Sequence, residues 1–355
     1  MPIAFVTAAA VAALATPAVS WLALSLGVID RPNDRKVSKR TNIPLMGGLS
    51  IAIGFVVGLS AALFYLPEEL GLQLEGLLVG GFLVLMLGAV DDRWGMSAWV
   101  KLTVQLVAAG VAIDAGFQID HIGNPLTHEV HHFPTWLMWI VTTTWIVIVT
   151  NALNLIDGLD GLCTGVSAII ATTLGVIAWQ GGHIPGVVIS VALVGSLLGF
   201  LPYNFPPARI FVGDTGALFI GFCLSILALE GYQRVTVITF LVPLLAFAVP
   251  LLDTALSVFR RLRSGVNPMR ADKKHLHHRL LSEYGGSHRP AVLSIYFLTA
   301  CFCVIAVSFT RLQGYATLVF LVVVLILTLR ILRNLGFFYE EEPETAGSGA
   351  GGETS

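Results

Sequence analysis

The stretch GGLSIAIGFVVGLSAALFYL, Gly47–Leu66, contains no charged residue and is apolar or small at nearly every position. About 20 apolar residues in helical conformation cross the hydrocarbon core of a bilayer, so this stretch is long enough for one membrane span. A helix that is apolar on every side is stable where lipid or other apolar helices surround it. The stretch therefore predicts a transmembrane helix rather than the half-buried helix of a water-soluble domain.

The same pattern recurs on both sides of this stretch, and we predict about eleven transmembrane helices in all. The other candidate spans are Ile3–Ile29, Leu72–Val90, Ala98–Gly116, Thr135–Leu153, Leu162–Trp179, Ile184–Leu201, Gly216–Leu229, Val235–Phe259, Ala291–Thr310 and Tyr315–Ile331. The 355 residues are 55% hydrophobic and only 12% charged, about half the charge of a soluble domain. The predicted fold class is an all-α, polytopic integral membrane protein, with membrane lipid around it and no nucleic-acid partner.

The 20 Lys and Arg residues are distributed unevenly between the two ends of these spans. With the N-terminus outside, all of them except Arg234 and Arg311 lie in loops or helix ends on the cytosolic side, as the positive-inside rule requires. We therefore predict an outside N-terminus, a cytosolic C-terminus and one transmembrane domain over residues 1–335. Residues 336–355 are acidic and then Gly-rich, a composition typical of disorder. The cytosolic-face loops are 30–46, 91–97, 154–161, 204–216 and 260–290.

The end of the third span carries two adjacent carboxylates, Asp91 and Asp92, and Lys101 follows one turn into the fourth span. Ionisable residues at membrane depth are costly and favour a functional interpretation. Adjacent carboxylates repel, so they persist beside a cation or where a proton is held. The structural alternative is that Asp91 caps the next helix while Asp92 pairs with Arg93.

The segment NLIDGLDG, residues 154–161, places Asn154, Asp157 and Asp160 at intervals of three. On a helical turn these side chains lean toward one another, and Gly158 lets a large substrate approach the backbone. Oxygen donors of this kind suit Mg²⁺ and a metal-bound diphosphate.

The segment NFPPARIFVGDTG, residues 204–216, has a Pro-Pro pair that excludes helix and ends at the start of the eighth span. Asp214 is therefore either the cap of that helix or a metal ligand at the mouth of a polar cleft. We favour the metal ligand.

Two inner loops are rich in basic residues. In DKKHLHHR, residues 272–279, the Lys and Arg side chains repel a cation, which favours a diphosphate-binding site over a zinc site. The cluster around Lys36 and Lys39 either contacts anionic lipid or attracts an anionic substrate. Asp253, in the ninth span, either belongs to the site or pairs with a nearby arginine.

The outer loop 117–134 holds His128, His131 and His132 and no basic residue. A His-rich tract is able to bind metal. This loop lies across the membrane from the other polar segments, however, so the sequence does not favour a metal site there.

Five motifs, in order, resemble those of the polyprenyl-phosphate N-acetylhexosamine-1-phosphate transferase superfamily. They are Pro-x-Met-Gly-Gly at 44–48, Asp91-Asp92 with Lys101, Asn-Leu-Ile-Asp-Gly-Leu-Asp-Gly at 154–161, Asn204 with Pro-Ala-x-x-Phe-x-Gly-Asp-x-Gly at 207–216, and His-Leu-His-His at 275–278. Each motif alone is weak, but all five in this order are specific. The last motif, followed by Arg, and the Asp-Arg-Pro-Asn-x-Arg-Lys sequence at 30–36 are similar to the WecA/TagO group rather than to MraY-type enzymes.

The resemblance implies a Mg²⁺-dependent enzyme, with Mn²⁺ as a substitute, that takes UDP-GlcNAc or another UDP-N-acetylhexosamine as donor. The implied acceptor is undecaprenyl or another polyprenyl phosphate, and the implied location is the bacterial cytoplasmic membrane with the active site facing the cytosol. The implied metal ligands are Asp214 and Asn154. The implied catalytic residues are Asp91, Asp92, Lys101, Asp157, Asp160, His275, His277 and His278. The implied substrate-binding residues are Lys36, Lys39, Asn204, Phe211, Gly158 and Arg279, with Phe211 stacking on uracil.

The expected product is a polyprenyl-diphosphate-GlcNAc, the first intermediate of a cell-surface polysaccharide such as O-antigen, common antigen or teichoic acid. We expect a one-step in-line attack by the lipid phosphate, and a covalent Asp intermediate is the alternative. Donors carrying FucNAc, QuiNAc, GalNAc or MurNAc-pentapeptide share these motifs. A secondary transporter of an anionic solute is the rival class, and a homodimer is left open.

Overall fold

The computed structural model describes residues 1–30, 42–64, 71–123, 129–230, 237–263 and 275–310. It separates a main unit, Met1–Leu312, from a C-terminal unit, Gln313–Ser355, of which only five helical positions are described. Lys36, Lys39, the predicted tail and most of the predicted span Tyr315–Ile331 lie outside the described residues.

The described part of the main unit contains twelve α-helices and one two-stranded sheet. In order they are α1 Pro2–Ser25, α2 Gly47–Leu63, α3 Gly71–Trp94, α4 Ala98–Asp114, β1 His121–Gly123, β2 Val130–His132, α5 Thr135–Ile156, α6 Leu162–Gln180, α7 Ile184–Asn204, α8 Gly213–Glu230, α9 Val237–Ala246, α10 Ala248–Arg263, α11 Leu276–Glu283 and α12 His288–Phe309.

Seven of the described helices are long and apolar enough to cross a membrane: α1, α3, α5, α6, α7, α8 and α12. The apolar helix α2 is slightly shorter, at 17 residues. A helical, polytopic membrane protein is thereby confirmed. Each described span begins or ends within a few residues of the prediction, because helix ends follow the boundaries of the apolar runs.

The predicted ninth span, Val235–Phe259, differs in detail, because the described chain forms two helices that meet at Phe247. Pro250 accounts for the break: its ring lacks an N–H and would clash with the carbonyl of Ala246, four residues earlier. The short antiparallel hairpin of β1 and β2 was also not predicted.

Helix α8 forms the centre of the bundle, and almost every residue along it is buried. Small residues let its neighbours approach closely, as is common between membrane helices. A Cβ atom on Gly48 of α2 would overlap the backbone of Gly216, and one on Gly88 of α3 would overlap the backbone of Asp214. The first turn of α8 is therefore held directly against α2 and α3.

Candidate active site

The segment before α8 is held by backbone hydrogen bonds to the Pro-x-Met-Gly-Gly motif. The Gly47 N–H donates to the carbonyl of Phe211 at 2.9 Å, and the Gly48 N–H donates to the carbonyl of Val212 at 2.9 Å. The Phe211 N–H donates in turn to the carbonyl of Pro44 at 3.0 Å. Two of the five motifs, more than 150 residues apart in the printed sequence, thus form one backbone structure.

Asp92 caps the N-terminus of α8 from the end of α3. Its carboxylate accepts the backbone N–H of Asp214 at 2.9 Å, the backbone N–H of Thr215 at 3.0 Å and the hydroxyl of Thr215 at 2.6 Å. A carboxylate in this position satisfies N–H groups that the helix leaves unpaired and complements its dipole. Gly213 has φ +70°, and a Cβ atom there would collide with the Asp92 carboxylate.

The sequence left a structural alternative in which Asp91 caps α4 and Asp92 pairs with Arg93. The structure shows other partners for these residues. The N-cap of α4 is Ser97, whose side chain accepts the N–H of Val100 at 3.4 Å. The guanidinium of Arg93 lies 5.8 Å from the ring centroid of Trp94. Because Asp92 provides the cap of α8, the side chain of Asp214 does not cap the helix and instead contacts Lys101 and Asn154.

Lys101 lies between two carboxylates. Its ammonium group forms an ion pair with Asp91 and another with Asp214, the latter at 2.6 Å. The other oxygen of Asp214 accepts a hydrogen bond from the Asn154 amide at 3.0 Å, and Asp91 also accepts the N–H of Met96 at 2.6 Å. Helices α3, α4, α5 and α8 each contribute one charged or amide side chain to this cluster.

The cluster of Asp91, Asp214 and Asn154 has the donor set of a magnesium site. Carboxylate and amide oxygens are the ligands that Mg²⁺ prefers, and half a turn of the Asn154 amide would present its oxygen instead of its nitrogen. The Lys101 ammonium already lies between the two carboxylates, so the local field favours a cation there. These residues fit the metal that the motifs imply.

A pocket of about 240 Å³ opens beside this cluster. Its lining includes eight residues that the sequence assigned to the site: Asp92, Asp157, Gly158, Asp160, Asn204, Phe211, Asp214 and His278. Asp30 and Leu45 come from the first inner loop, and His288 comes from the fifth. All five inner segments therefore contribute side chains to one cavity.

Asp160 and Asn204 hold the Pro-Pro loop that forms one wall of the pocket. The Asp160 carboxylate accepts the N–H of Ala208 at 2.9 Å. The Asn204 amide donates to the carbonyl of Ile210 at 3.0 Å and accepts the hydroxyl of Thr164 at 2.8 Å. Both side chains are almost fully buried, so they support the loop as well as line the cavity.

The histidine motif enters the site on α11, which is held by Asp253 of α10. The Asp253 carboxylate contacts Nδ1 of His275 at 3.0 Å and accepts the N–H of Leu276 at 2.7 Å. The ring of His277 lies against Gly158, where an added Cβ atom would overlap it. Burial lowers the pKa of His277 to about 3, so this ring is neutral near pH 7.

The sequence predicted three further substrate-binding residues, all of them basic. Arg279 lies on α11 directly after His278, whereas Lys36 and Lys39 lie outside the described residues. The sequence did not single out Asp30 or His288, which line the pocket. Asp30 begins a motif that was noted for its basic residues, and His288 carries no motif signal because only the packing of α12 brings it to the cavity.

The sequence also matches known proteins. The model of the family described as glycosyl transferase family 4 matches residues 74–232, which include Asp91, Lys101, Asn154 and Asp214. The chain is 38% identical over 334 residues to the probable undecaprenyl-phosphate N-acetylglucosaminyl 1-phosphate transferase of Bacillus subtilis, covering 94% of this chain and 91% of that protein.

Two further relatives are similar over most of their length. The decaprenyl-phosphate N-acetylglucosaminephosphotransferase of Mycolicibacterium smegmatis is 36% identical over 326 residues, covering 82% of this chain and 77% of that protein. The undecaprenyl-phosphate alpha-N-acetylglucosaminyl 1-phosphate transferase of Yersinia pestis is 30% identical over 304 residues, covering 82% and 79%. This chain belongs to glycosyl transferase family 4. It is a membrane-embedded phosphoglycosyl transferase of that family.

Proposed function

We propose that the protein transfers GlcNAc-1-phosphate from UDP-GlcNAc to a polyprenyl phosphate and releases UMP. The observation that carries this proposal is the convergence of all five inner segments on one pocket beside the Asp91–Lys101–Asp214–Asn154 cluster. Cations and a metal-binding donor set at one end of a polar cavity are what phosphoryl transfer requires. The names of the three relatives support the same transferred group and the same class of lipid acceptor.

The pocket accommodates part of the donor rather than the whole of it. Its volume of about 240 Å³ is below the range of roughly 300–1,000 Å³ of sites for complete drug-sized ligands. The phosphates belong beside the cluster, where Lys101 provides a positive charge. Phe211 lies in the pocket lining and offers an aromatic face for uracil.

In the proposed reaction, a phosphate oxygen of the lipid attacks the β-phosphorus of UDP-GlcNAc and forms the new P–O bond. The bond from that phosphorus to the bridging oxygen breaks, and its electron pair leaves with UMP. Asp91 is the better candidate for accepting a proton from the lipid phosphate. Asp92 is a positioning residue in this scheme, because its two oxygens already accept three hydrogen bonds from Asp214 and Thr215.

Asp214 and Asn154, with Asp91 beside them, are the residues that would hold Mg²⁺. When bound, Mg²⁺ neutralises charge on the diphosphate and on the leaving group. Lys101, which lies between Asp91 and Asp214, would contribute its positive charge to binding the phosphates. Mn²⁺ takes the same ligands and is expected to substitute.

The acceptor tail has a candidate location in an apolar groove of about 630 Å³ between α6, α7 and α12. The groove runs from Gly165 and Tyr296 outward to Val176 and Ser308, and its lining is almost entirely apolar. At the inner end the hydroxyl of Tyr296 donates to the carbonyl of Gly161, next to the Asp157–Asp160 loop. A polyprenyl chain in this groove would therefore bring its phosphate toward the pocket.

We propose about eleven spans in a bacterial cytoplasmic membrane, with the N-terminus outside and both the C-terminus and the pocket at the cytosol. Residues 1–335 form one catalytic domain, and residues 336–355 form a disordered tail. This arrangement fits the distribution of Lys and Arg. The product would begin a cell-surface polysaccharide.

The test is UMP release by the purified protein in detergent, with a polyprenyl phosphate, Mg²⁺ and a panel of donors. We expect UMP and polyprenyl-diphosphate-GlcNAc to form in equal amounts from UDP-GlcNAc. Turnover should stop with EDTA and return with excess Mg²⁺ or Mn²⁺. Faster turnover of UDP-GalNAc, UDP-FucNAc, UDP-QuiNAc or UDP-MurNAc-pentapeptide would show that the donor carries a different sugar. If no donor released UMP, the proposed transferase activity would be contradicted and a transporter would be favoured.

A further inference from the structure

A second cluster of metal-binding side chains lies on the β1–β2 hairpin, which connects α4 to α5. Lys101 near the start of α4 and Asn154 near the end of α5 belong to the active site. Helix α4 has 17 residues, so at about 1.5 Å per residue the hairpin lies roughly 25 Å from that site along the helix. The hairpin is thus at the opposite end of the bundle from the catalytic pocket.

The strand register brings two histidines opposite each other. His121 of β1 pairs with His132 of β2, and their ring centroids are 5.4 Å apart. Asp120 precedes His121, and its carboxylate lies 2.6 Å from Nδ1 of that ring. One nitrogen from each histidine and one oxygen of Asp120 all lie within 4.8 Å of one another.

These separations are near those between the ligand atoms of a bound transition metal. Ligands at about 2.0–2.2 Å from a tetrahedral Zn²⁺ ion are roughly 3.4 Å apart, so small side-chain rotations would bring the three atoms to that separation. Two imidazoles and one carboxylate suit Zn²⁺ and disfavour Mg²⁺ or Ca²⁺, which take oxygen ligands. The loop 117–134 contains no Lys or Arg to repel a cation, in contrast to the histidine motif at 272–279.

We propose that Asp120, His121 and His132 bind one Zn²⁺ ion on the hairpin. The sequence did not favour a metal in this loop, because the loop lies across the membrane from the other polar segments, and the histidines it pointed to were His128, His131 and His132 without His121. The structure adds Asp120 and His121 as neighbours of His132, a grouping that the sequence pattern alone did not indicate.

A small polar cavity lies beside two of the three proposed ligands. A pocket of about 210 Å³ is lined by Asp120 and His121 together with Gln73, Gln118 and the buried Glu230. A water molecule bound to the metal would find hydrogen-bond partners there. Three protein ligands and one water complete the usual four-coordinate arrangement of an open zinc site.

The metal would stabilise the hairpin and the end of the bundle that it covers. Each strand has three residues, and an isolated two-stranded hairpin of this length is marginally stable. A metal that bonds to both strands ties β1 to β2, and through them the end of α4 to the start of α5. Catalysis roughly 25 Å away does not need it.

The test is Zn²⁺ binding by the full-length, tag-free protein in detergent after removal of metals, measured by competition with a chromophoric chelator. We expect one Zn²⁺ equivalent that is lost or weakened at least tenfold in His132→Ala and in Asp120→Asn. The matched control is His131→Ala, because His131 is next in β2 and points to the opposite face of the strand. This control should bind as the wild type does.

Equal Zn²⁺ affinity of the wild type and His132→Ala would overturn the proposal, and so would a loss of binding in His131→Ala alone. Any zinc held by the histidine motif of α11 is present in all four proteins and cancels in the comparison. Both cluster variants should retain wild-type UMP release, which shows that they are folded. A failure of zinc binding with intact turnover therefore leaves the proposed function unaffected.

Discussion

Asp91 and Asp92 are neighbours in sequence but have different partners in the structure. Asp91 pairs with Lys101, whereas Asp92 is bonded to the first turn of α8. The sequence identified both residues as important from their adjacency and their membrane setting. It did not distinguish their roles, because the partners of Asp92 lie 122 and 123 residues away along the chain and only the packing of α3 on α8 brings them together.

This difference predicts unequal effects of the same substitution. Asn is as good a helix cap as Asp, so Asp92→Asn keeps an acceptor for one backbone N–H and should lower kcat by about tenfold, a change of ~1.4 kcal/mol. Asp91→Asn removes both the partner of Lys101 and the proton acceptor, and it should lower kcat by at least about a hundredfold. The measurement is the rate of UMP release as a function of pH.

The pH profile separates a base from a positioning residue. Asp92→Asn should keep the wild-type shape at a lower rate, while Asp91→Asn should lose the dependence that an essential carboxylate imposes at low pH. If Asp92→Asn changed the shape of the profile and Asp91→Asn did not, the two roles would have to be exchanged.

At the scale of the elements, hydropathy was sufficient to locate the membrane helices among the described residues but not their interruptions. The break at Phe247 depends on the missing N–H of Pro250 and on the clash that its ring would make with the carbonyl four residues earlier. A hydropathy average over a window of residues does not register either effect. The β1–β2 hairpin was missed because each strand has only three residues, too few for a period-two pattern. Asp253 illustrates the same limit. It lies in α10, but its partners His275 and Leu276 lie at the start of α11, and the sequence does not indicate that these two helices touch there.

The groove between α6, α7 and α12 yields a prediction about these elements. Ala300→Trp introduces a large ring into the groove lining and should raise the KM for a long polyprenyl phosphate by about tenfold, roughly 1.4 kcal/mol of lost binding. The KM for UDP-GlcNAc should not change. The measurement is steady-state kinetics with each substrate varied in turn.

Phe297→Trp is the matched control, since Phe297 lies on the same helix but outside the groove and is 73% exposed. It should leave both KM values at their wild-type levels. An Ala300→Trp enzyme with an unchanged KM for the long-chain acceptor would show that the tail does not bind between these helices.

At the scale of the whole molecule, the proposed function depends on distant segments meeting at one end of a helical bundle. The sequence supplied the motifs and a common side of the membrane for them, which is enough to expect a shared site. It did not supply the distances. These are set by small-residue contacts such as Gly48 against Gly216 and Gly221 against Thr150. Gly48 and Gly216 belong to two of the five motifs, but nothing in the sequence shows that these two residues touch.

The most direct test of this convergence is the turnover of Asp214→Asn, assayed as polyprenyl-phosphate-dependent UMP release from UDP-GlcNAc. Asp214 receives Lys101 at 2.6 Å and Asn154 at 3.0 Å, so removing its charge disrupts the cluster without changing its size. Asp114→Asn, an exposed carboxylate at the far end of α4, is the control. We predict a loss of at least about a hundredfold for Asp214→Asn, or ~2.7 kcal/mol, and wild-type turnover for Asp114→Asn. Near wild-type turnover of both variants would contradict the proposed site.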